Sequence, residues 1–328
     1  MHTSFIDRFH AINSSLDHGE VLRALIGVFR DGNIAVKARQ IENKAISTLL
    51  SKHHSAWHAL FPPFPKCPFP SRTPWQQAMR GRRDAYLKKL IVETLQSFHG
   101  ASSTIVNPVD DFGTHARNIA RSLPTHEVIA TDIAPTWNRL YSILYYLVFG
   151  SQRNYSFVRE SIFKPEYGRR PCAVVFFGAC GSLTDACIDY AIAENSSFLV
   201  FRACCHEIIG NNTDLTKYST LLNYGFRVRN YFLNRLKTQN RGFYFSDEYG
   251  QDVYPRSALA REISDSREFH EIAKSALDSD VCRCIIDLDR CLFLHDSGYD
   301  VLYKEELFFA ISRKIFQKSA IMGGENER

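Results

Sequence analysis

The chain has 328 residues, 45% of them hydrophobic and 23% charged, with a formal charge of +5. This composition excludes disorder, collagen-like repeats and coiled coil as the main organisation. It leaves room for one large domain or a core with an appended module. The longest apolar run, residues 140–149, is well short of the ~20 residues that a membrane-spanning helix needs. The first ten residues lack the basic-then-apolar layout of a signal peptide. A soluble protein of the cytoplasm or nucleus is expected, with no membrane partner. Nine cysteines occur at irregular spacing without a C-x-x-C pair, so reduced thiols are expected and no metal centre is assigned.

In chain order, 1–98 reads as a helical N-terminal region. Apolar residues recur at three- and four-residue spacing in 21–29 and 41–50, as on one face of a helix. Five prolines within 61–70 interrupt the pattern and favour an extended connector. A helical stretch follows at 75–95, basic through Arg80, Arg82, Arg83, Lys88 and Lys89. His54 and His58 stand four apart on the preceding helix, but without a carboxylate motif a solvated face is the better reading.

From residue 99 to 318 strands alternate with helices. Strands are predicted at 104–113, 126–132, 155–163, 173–177 and 197–203, with helices at 116–123, about 135–149 and about 184–195. This alternation argues for an α/β fold of βαβ units around a parallel sheet. It lapses over 210–280, read as an insertion, and returns as a helix at about 285–296 and strands at 298–303 and 307–312. Residues 319–328 read as a loose tail.

Three stretches carry chemistry. In V-D-D-F-G-T-H-A-R (109–117) a strand end, a glycine turn and a helix start make a cradle for a nucleotide-like ligand. Asp132 ends the next strand, 19 residues after Gly113, where a carboxylate can accept both ribose hydroxyls. It could equally cap the following helix. A pyrophosphate calls for G-x-G-x-x-G, and the residues after Gly113 are Thr114, His115, Ala116 and Arg117. That favours a nucleoside cofactor without phosphate, S-adenosyl-L-methionine (SAM), over NAD. The third stretch is A-C-G-S-L-T-D (179–185) after one strand and C-C-H (204–206) after the next.

The A-C-G-x-L-T-D and C-C-H runs, with I-D-L-D-R-C-L-F-L-H-D-S-G-Y-D-V (286–301), resemble a subgroup of class I SAM-dependent methyltransferases. That subgroup carries H-A-C-G-x-L-T-D and P-C-C-H signatures and is related to tRNA 2′-O-methyltransferases. Loosely similar too is M-R-G-R-R-D-A-Y-L-K-K-L (79–90). The resemblance covers about 75–210 and 280–312. It implies a Rossmann-like class I methyltransferase sheet, with the insertion before the last two strands and SAM as cofactor. SAM would lie across Asp111, Gly113 and Asp132, with Glu160 or Ser161 near the adenine and Gly178, Ala179, Cys180 and Gly181 beside the methyl group. The chain departs from the subgroup at Gly178, where histidine is usual, and at His115 and Arg117, where glycines are usual. The competing expectation is therefore an inactive scaffold whose cofactor turn is blocked by these two side chains.

Cys180, Cys204, Cys205 and His206 are expected at the ends of neighbouring strands. Zinc ligation is conceivable, but adjacent cysteines on a strand point to opposite faces, and a tight pocket floor is the simpler reading. His206, with Cys180 the candidate catalytic pair, reads as a general base or substrate contact or as a structural histidine bonded to backbone. Thr184 and Asp185 read as helix caps. Within 217–261 eight Lys/Arg stand against three acids, and Tyr224, Phe226, Tyr231, Phe232, Phe243, Tyr244 and Phe245 are interleaved with the basic residues. Such a segment suits phosphates and bases, and also the amphipathic helices of a cap. RNA is the expected acceptor and partner, bound through Arg227, Arg229 and Arg235, with a small-molecule acceptor as the alternative.

Overall fold

A computed structural model describes residues 5–31, 44–61, 89, 91–95, 104–110, 113–132, 143–144, 146–148, 150–204, 206, 254–276, 279–304 and 307–315. Three helices come first: α1 (Phe5–Asn13), α2 (His18–Arg30) and α3 (Lys44–Leu60). Then β1 (Thr104–Pro108), α4 (Thr114–Ser122), β2 (Glu127–Asp132), β3 (Tyr155–Arg159), β4 (Ala173–Cys180), α5 (Ser182–Ala193) and β5 (Phe198–Cys204) alternate. The chain closes with α6 (Ala258–Ile263), α7 (Ser266–Ser275), α8 (Asp280–Asp296), β6 (Tyr299–Lys304) and β7 (Leu307–Ser312).

The strands form one seven-stranded sheet in the order β3-β2-β1-β4-β5-β7-β6. The pairs from β3 to β5 are parallel, whereas β7 runs antiparallel to both β5 and β6. This is the α/β, Rossmann-like sheet that the alternation implies. Helices cover both faces, so the strands are apolar almost throughout. One face presents Ile105, Val128, Ala130, Val175, Val200 and Phe309 to α1, α3 and α4. The other presents Val106, Val174, Leu199, Val301 and Ala310 to α5 and α8. On that second face Phe176, Phe201 and Phe308 are register partners on β4, β5 and β7, their centroids 4.8 and 4.3 Å apart and their planes within 12°. This stack ties the antiparallel pair to the parallel part of the sheet.

The N-terminal helices belong to the same core. Phe9, Trp57 and Phe61 pack with Phe309 of β7. Asn13 accepts from Val301 N at 2.8 Å and donates to Asp300 Oδ1 at 3.2 Å, while His10 contacts the same carboxylate. These bonds occupy part of the exposed edge of β6.

The stretch 210–280, read as one insertion, divides. Helices α6 and α7 pack Ala260, Phe269, Ile272 and Ala273 against Val21, Leu22, Leu25 and Ile26 of α2 and Ile285 and Leu288 of α8. The alternation lapses there because two short helices bury a minority face and expose the rest. Arg227, Arg229 and Arg235, with the rest of 207–253, lie outside the described residues, as do most of the basic stretch 75–90 and the tail 319–328. Among the described residues no helix is long and apolar enough to cross a membrane.

Candidate functional site

In an open α/β sheet ligands bind beyond the carboxyl ends of the strands, where the strand order reverses. Here that place lies between β1, whose chain turns out toward β2 and β3, and β4, whose chain continues toward β5. The backbone is irregular on both sides of it. Val109, the residue after β1, has φ 60°, a left-handed conformation strained for a β-branched side chain. Opposite, the pairing of β4 with β5 shifts register between Phe177 and Cys180. A bulge of this kind re-aims the chain beside binding sites. Gly181 follows with φ 54° and ψ −122° before α5 begins.

The β1 turn is built by Asp110. Its buried carboxylate accepts from Ala116 N at 3.0 Å, its N–H donates to the Thr131 carbonyl, and its own carbonyl accepts from Gly113 N at 2.9 Å. Gly113, at φ 64°, is the residue from which α4 starts. The turn-closing acid is thus Asp110, which the sequence reading passed over; its candidate Asp111 lies outside the described residues. Asp132 lies at the end of β2, half-buried, and its carbonyl accepts from Glu160 N at 3.0 Å.

Of the two side chains that could have blocked the turn, Arg117 points away from it and His115 packs on the end of β4. Arg117 is buried with its guanidinium 3.9 Å from the centre of the Tyr155 ring, at the far end of β3. The His115 ring packs on Phe177 of β4, with centroids 5.0 Å apart. The Arg117 guanidinium therefore lies on an aromatic face.

Glu160 and Ser161 hold the loop after β3. Glu160 pairs with Arg169 at 2.6 Å and accepts from Glu166 N. Ser161 accepts from Phe163 N and, through its carbonyl, from Lys164 N. The Glu160 carboxylate is occupied within its own loop.

At the β4 end Ala179 is buried and its carbonyl accepts the Thr184 hydroxyl. Gly178 and Cys180 lie in the bulge, with Cys180 the register partner of Cys204. Asp185 does not cap α5, contrary to the sequence reading. It is buried, and it accepts from Arg290 Nε at 2.9 Å and Nη2 at 3.1 Å, from Arg256 Nη1 at 3.0 Å and from Tyr254 Oη at 2.6 Å. Burial alone would raise its carboxyl, but Arg290 and Arg256 hold it below the usual carboxylate range. Arg290 also donates to the Gly181 carbonyl at 3.3 Å and reaches Asp287 at 3.4 Å. The T-D and D-R motifs are therefore two halves of one buried ion pair that fixes the β4 turn.

His206 is 1% exposed, and its Nε2 lies 2.6 Å from Asp287 Oδ1. Its partner is a carboxylate rather than the expected backbone group. Buried so, His206 braces the end of β5 against α8. On the far side of 207–253, Ser257 and the Arg256 N–H bond Asp289 of α8. The described residues flanking that segment, His206 on one side and Arg256 and Ser257 on the other, are thus bonded to one helix. Among the described residues no group of three or more potential metal ligands occurs.

No known protein family matches the chain, and no curated protein matches it in sequence. Among the solved structures that the chain matches are several methyltransferases. One is magnesium protoporphyrin IX methyltransferase (ChlM) from Synechocystis PCC 6803 with bound SAH, at TM-score 0.37 and 10% identity over 74% of this chain and 89% of that one. Another is an O-methyltransferase family protein from Burkholderia thailandensis, at TM-score 0.33 and 10% identity over 72% and 58%. A third is human N-acetylserotonin methyltransferase in complex with SAM, at TM-score 0.32 and 10% identity over 74% and 60%. At these scores the strand order, rather than any one neighbour, carries the fold assignment: the chain is a Rossmann-like α/β protein whose strand order reverses between β1 and β4.

Proposed function

We propose that the protein is a SAM-dependent class I methyltransferase that acts on RNA. The observation that carries the reading is the crevice at the strand-order reversal, with strained Val109, Gly113 and Asp132 on one side and the bulged, glycine-bearing end of β4 on the other. The fit to a nucleoside without phosphate is supported by Arg117 being turned onto Tyr155. The same observation weighs against the blocked-scaffold reading.

SAM, when bound, supplies a methyl group on a sulfonium centre that leaves by in-line displacement. The chain's task is then to hold two partners in line and exclude water. Asp132 is the acceptor for the ribose hydroxyls, the Gly113 turn admits the backbone closely, and residues 178–181 stand where the methyl group is presented. Asp185 and Arg290 keep that turn fixed. The acceptor assignment rests on the basic, aromatic composition of 217–261 and on the bonds from the residues flanking 207–253 to α8. Pools of RNA, protein and small metabolites incubated with methyl-labelled SAM test it. Label is expected in RNA, with binding that weakens steeply as salt rises. Charge reversal at Arg227, Arg229 and Arg235 is expected to lower RNA affinity and spare SAM affinity. Label entering only another pool would overturn the acceptor assignment.

A further inference from the structure

Resting on the cofactor reading above, we propose that Asn107 is a positioning residue that fixes the separation of the two walls of the crevice, the β4 side and the α4 side. The strands part at this residue. Pairing of β1 with β4 ends at Val106 and Val174, whereas β1 stays paired with β2 as far as Pro108 and Thr131. Likewise β4 stays paired with β5 as far as Phe177 and Arg202 before its register shifts. Pro108 follows Asn107 and has no N–H with which to continue the ladder. The Asn107 side chain, 1% exposed, makes bonds across the gap instead. With its amide oriented to satisfy its neighbours, Nδ2 donates to the Val175 carbonyl of β4 at 2.9 Å and Oδ1 accepts from Ala116 N of α4 at 3.2 Å. Ala116 N is also the group bonded to Asp110.

One neutral side chain of β1 therefore ties together β4 and the first turn of α4. Each partner stands just beneath a part of the crevice: Ala116 is three residues after Gly113, and Val175 is three residues before Gly178. A cofactor laid across the gap meets both walls at once, so their spacing decides whether its two ends are held together. An amide supplies the donor and the acceptor that this bridge needs, and it adds no charge beside the buried Asp110 carboxylate. Leucine fills a similar volume and bonds to neither partner. The two contributions, hydrogen bonding and packing, can thus be separated by substitution.

Titration calorimetry of the full chain with SAM tests this, using wild type, Asn107→Ala, Asn107→Leu and, as a control, Ile26→Val. Ile26 is buried in a separate apolar cluster with α6, α7 and α8, so its truncation lowers stability without touching either wall. All four are compared under conditions where urea titration shows them folded. SAM affinity is expected to fall by about three- to tenfold in both Asn107 variants, the worth of one hydrogen bond, and to stay at the wild-type value in Ile26→Val. Loss in Asn107→Ala alone assigns the effect to packing and overturns the proposal. Wild-type affinity in both Asn107 variants, or an equal loss in Ile26→Val, overturns it too, and each of these leaves the cofactor reading in place. Absence of SAM binding to wild type overturns the cofactor reading, and this proposal with it.

Discussion

Replacing Arg290 by methionine should be among the most damaging single changes to this fold. The side chain is completely buried and meets Asp185 at 2.9 and 3.1 Å, the Gly181 carbonyl at 3.3 Å and Asp287 at 3.4 Å. Methionine fills much of the volume but leaves those carboxylates short of a cation. Breaking a buried pair from one side typically costs about 3–5 kcal/mol. Asp185 keeps Arg256 at 3.0 Å and Tyr254 at 2.6 Å, which places the expected loss toward the lower end, about 3 kcal/mol. Against a typical total stability of about 5–15 kcal/mol, that is a large fraction, readable as a lowered urea midpoint. Asp185→Asn in the Arg290→Met background should be less than additive by at least about 1 kcal/mol, because the two groups share one interaction. A loss under about 1 kcal/mol for Arg290→Met, or full additivity with Asp185→Asn, would refute the view that this ion pair holds the β4 turn.

Three further outcomes are expected. Arg290 and Arg256 hold the buried Asp185 carboxyl below its ordinary range against the effect of burial. Its stabilisation is therefore complete above about pH 4 and is lost as pH falls through the depressed native value; Asp185→Asn should flatten that acid limb in urea titrations run at stepped pH. Ser257 caps α6 by accepting from Ala260 N at 3.2 Å and donates to Asp289 at 2.7 Å, so Ser257→Ala should lower stability by about 1–3 kcal/mol. Arg117→Ala should lower stability by about 0.5–2 kcal/mol through loss of the Tyr155 contact and leave SAM affinity unchanged; a large gain in affinity would mean that Arg117 does obstruct the cofactor.

Strands buried on both faces read clearly in sequence, because runs such as A-V-V-F-F leave little alternative once turns bound them. Their ends were less legible. β4 runs on to Cys180 and β3 stops at Arg159, since a bulge and an ion-paired loop, both tertiary features, set those limits. The acid at the end of β2 was found by spacing alone. The part Asp110 plays in closing the turn rests on its burial and its bond to Ala116 N, which residue type alone does not signal. The roles of Asp185, Arg290 and His206 were hidden for a related reason: their partners lie 81 to 105 positions away, and no local pattern signals such pairing. The helices α6 and α7 were hidden because their apolar faces are short and meet α2 from the opposite end of the chain.

The account stands most directly on cofactor binding at the crevice. Titration of the purified protein with SAM should saturate at one site, and Asp132→Ala should abolish the heat while leaving the urea midpoint close to that of wild type. No binding by wild type, or undiminished binding by Asp132→Ala, would contradict it.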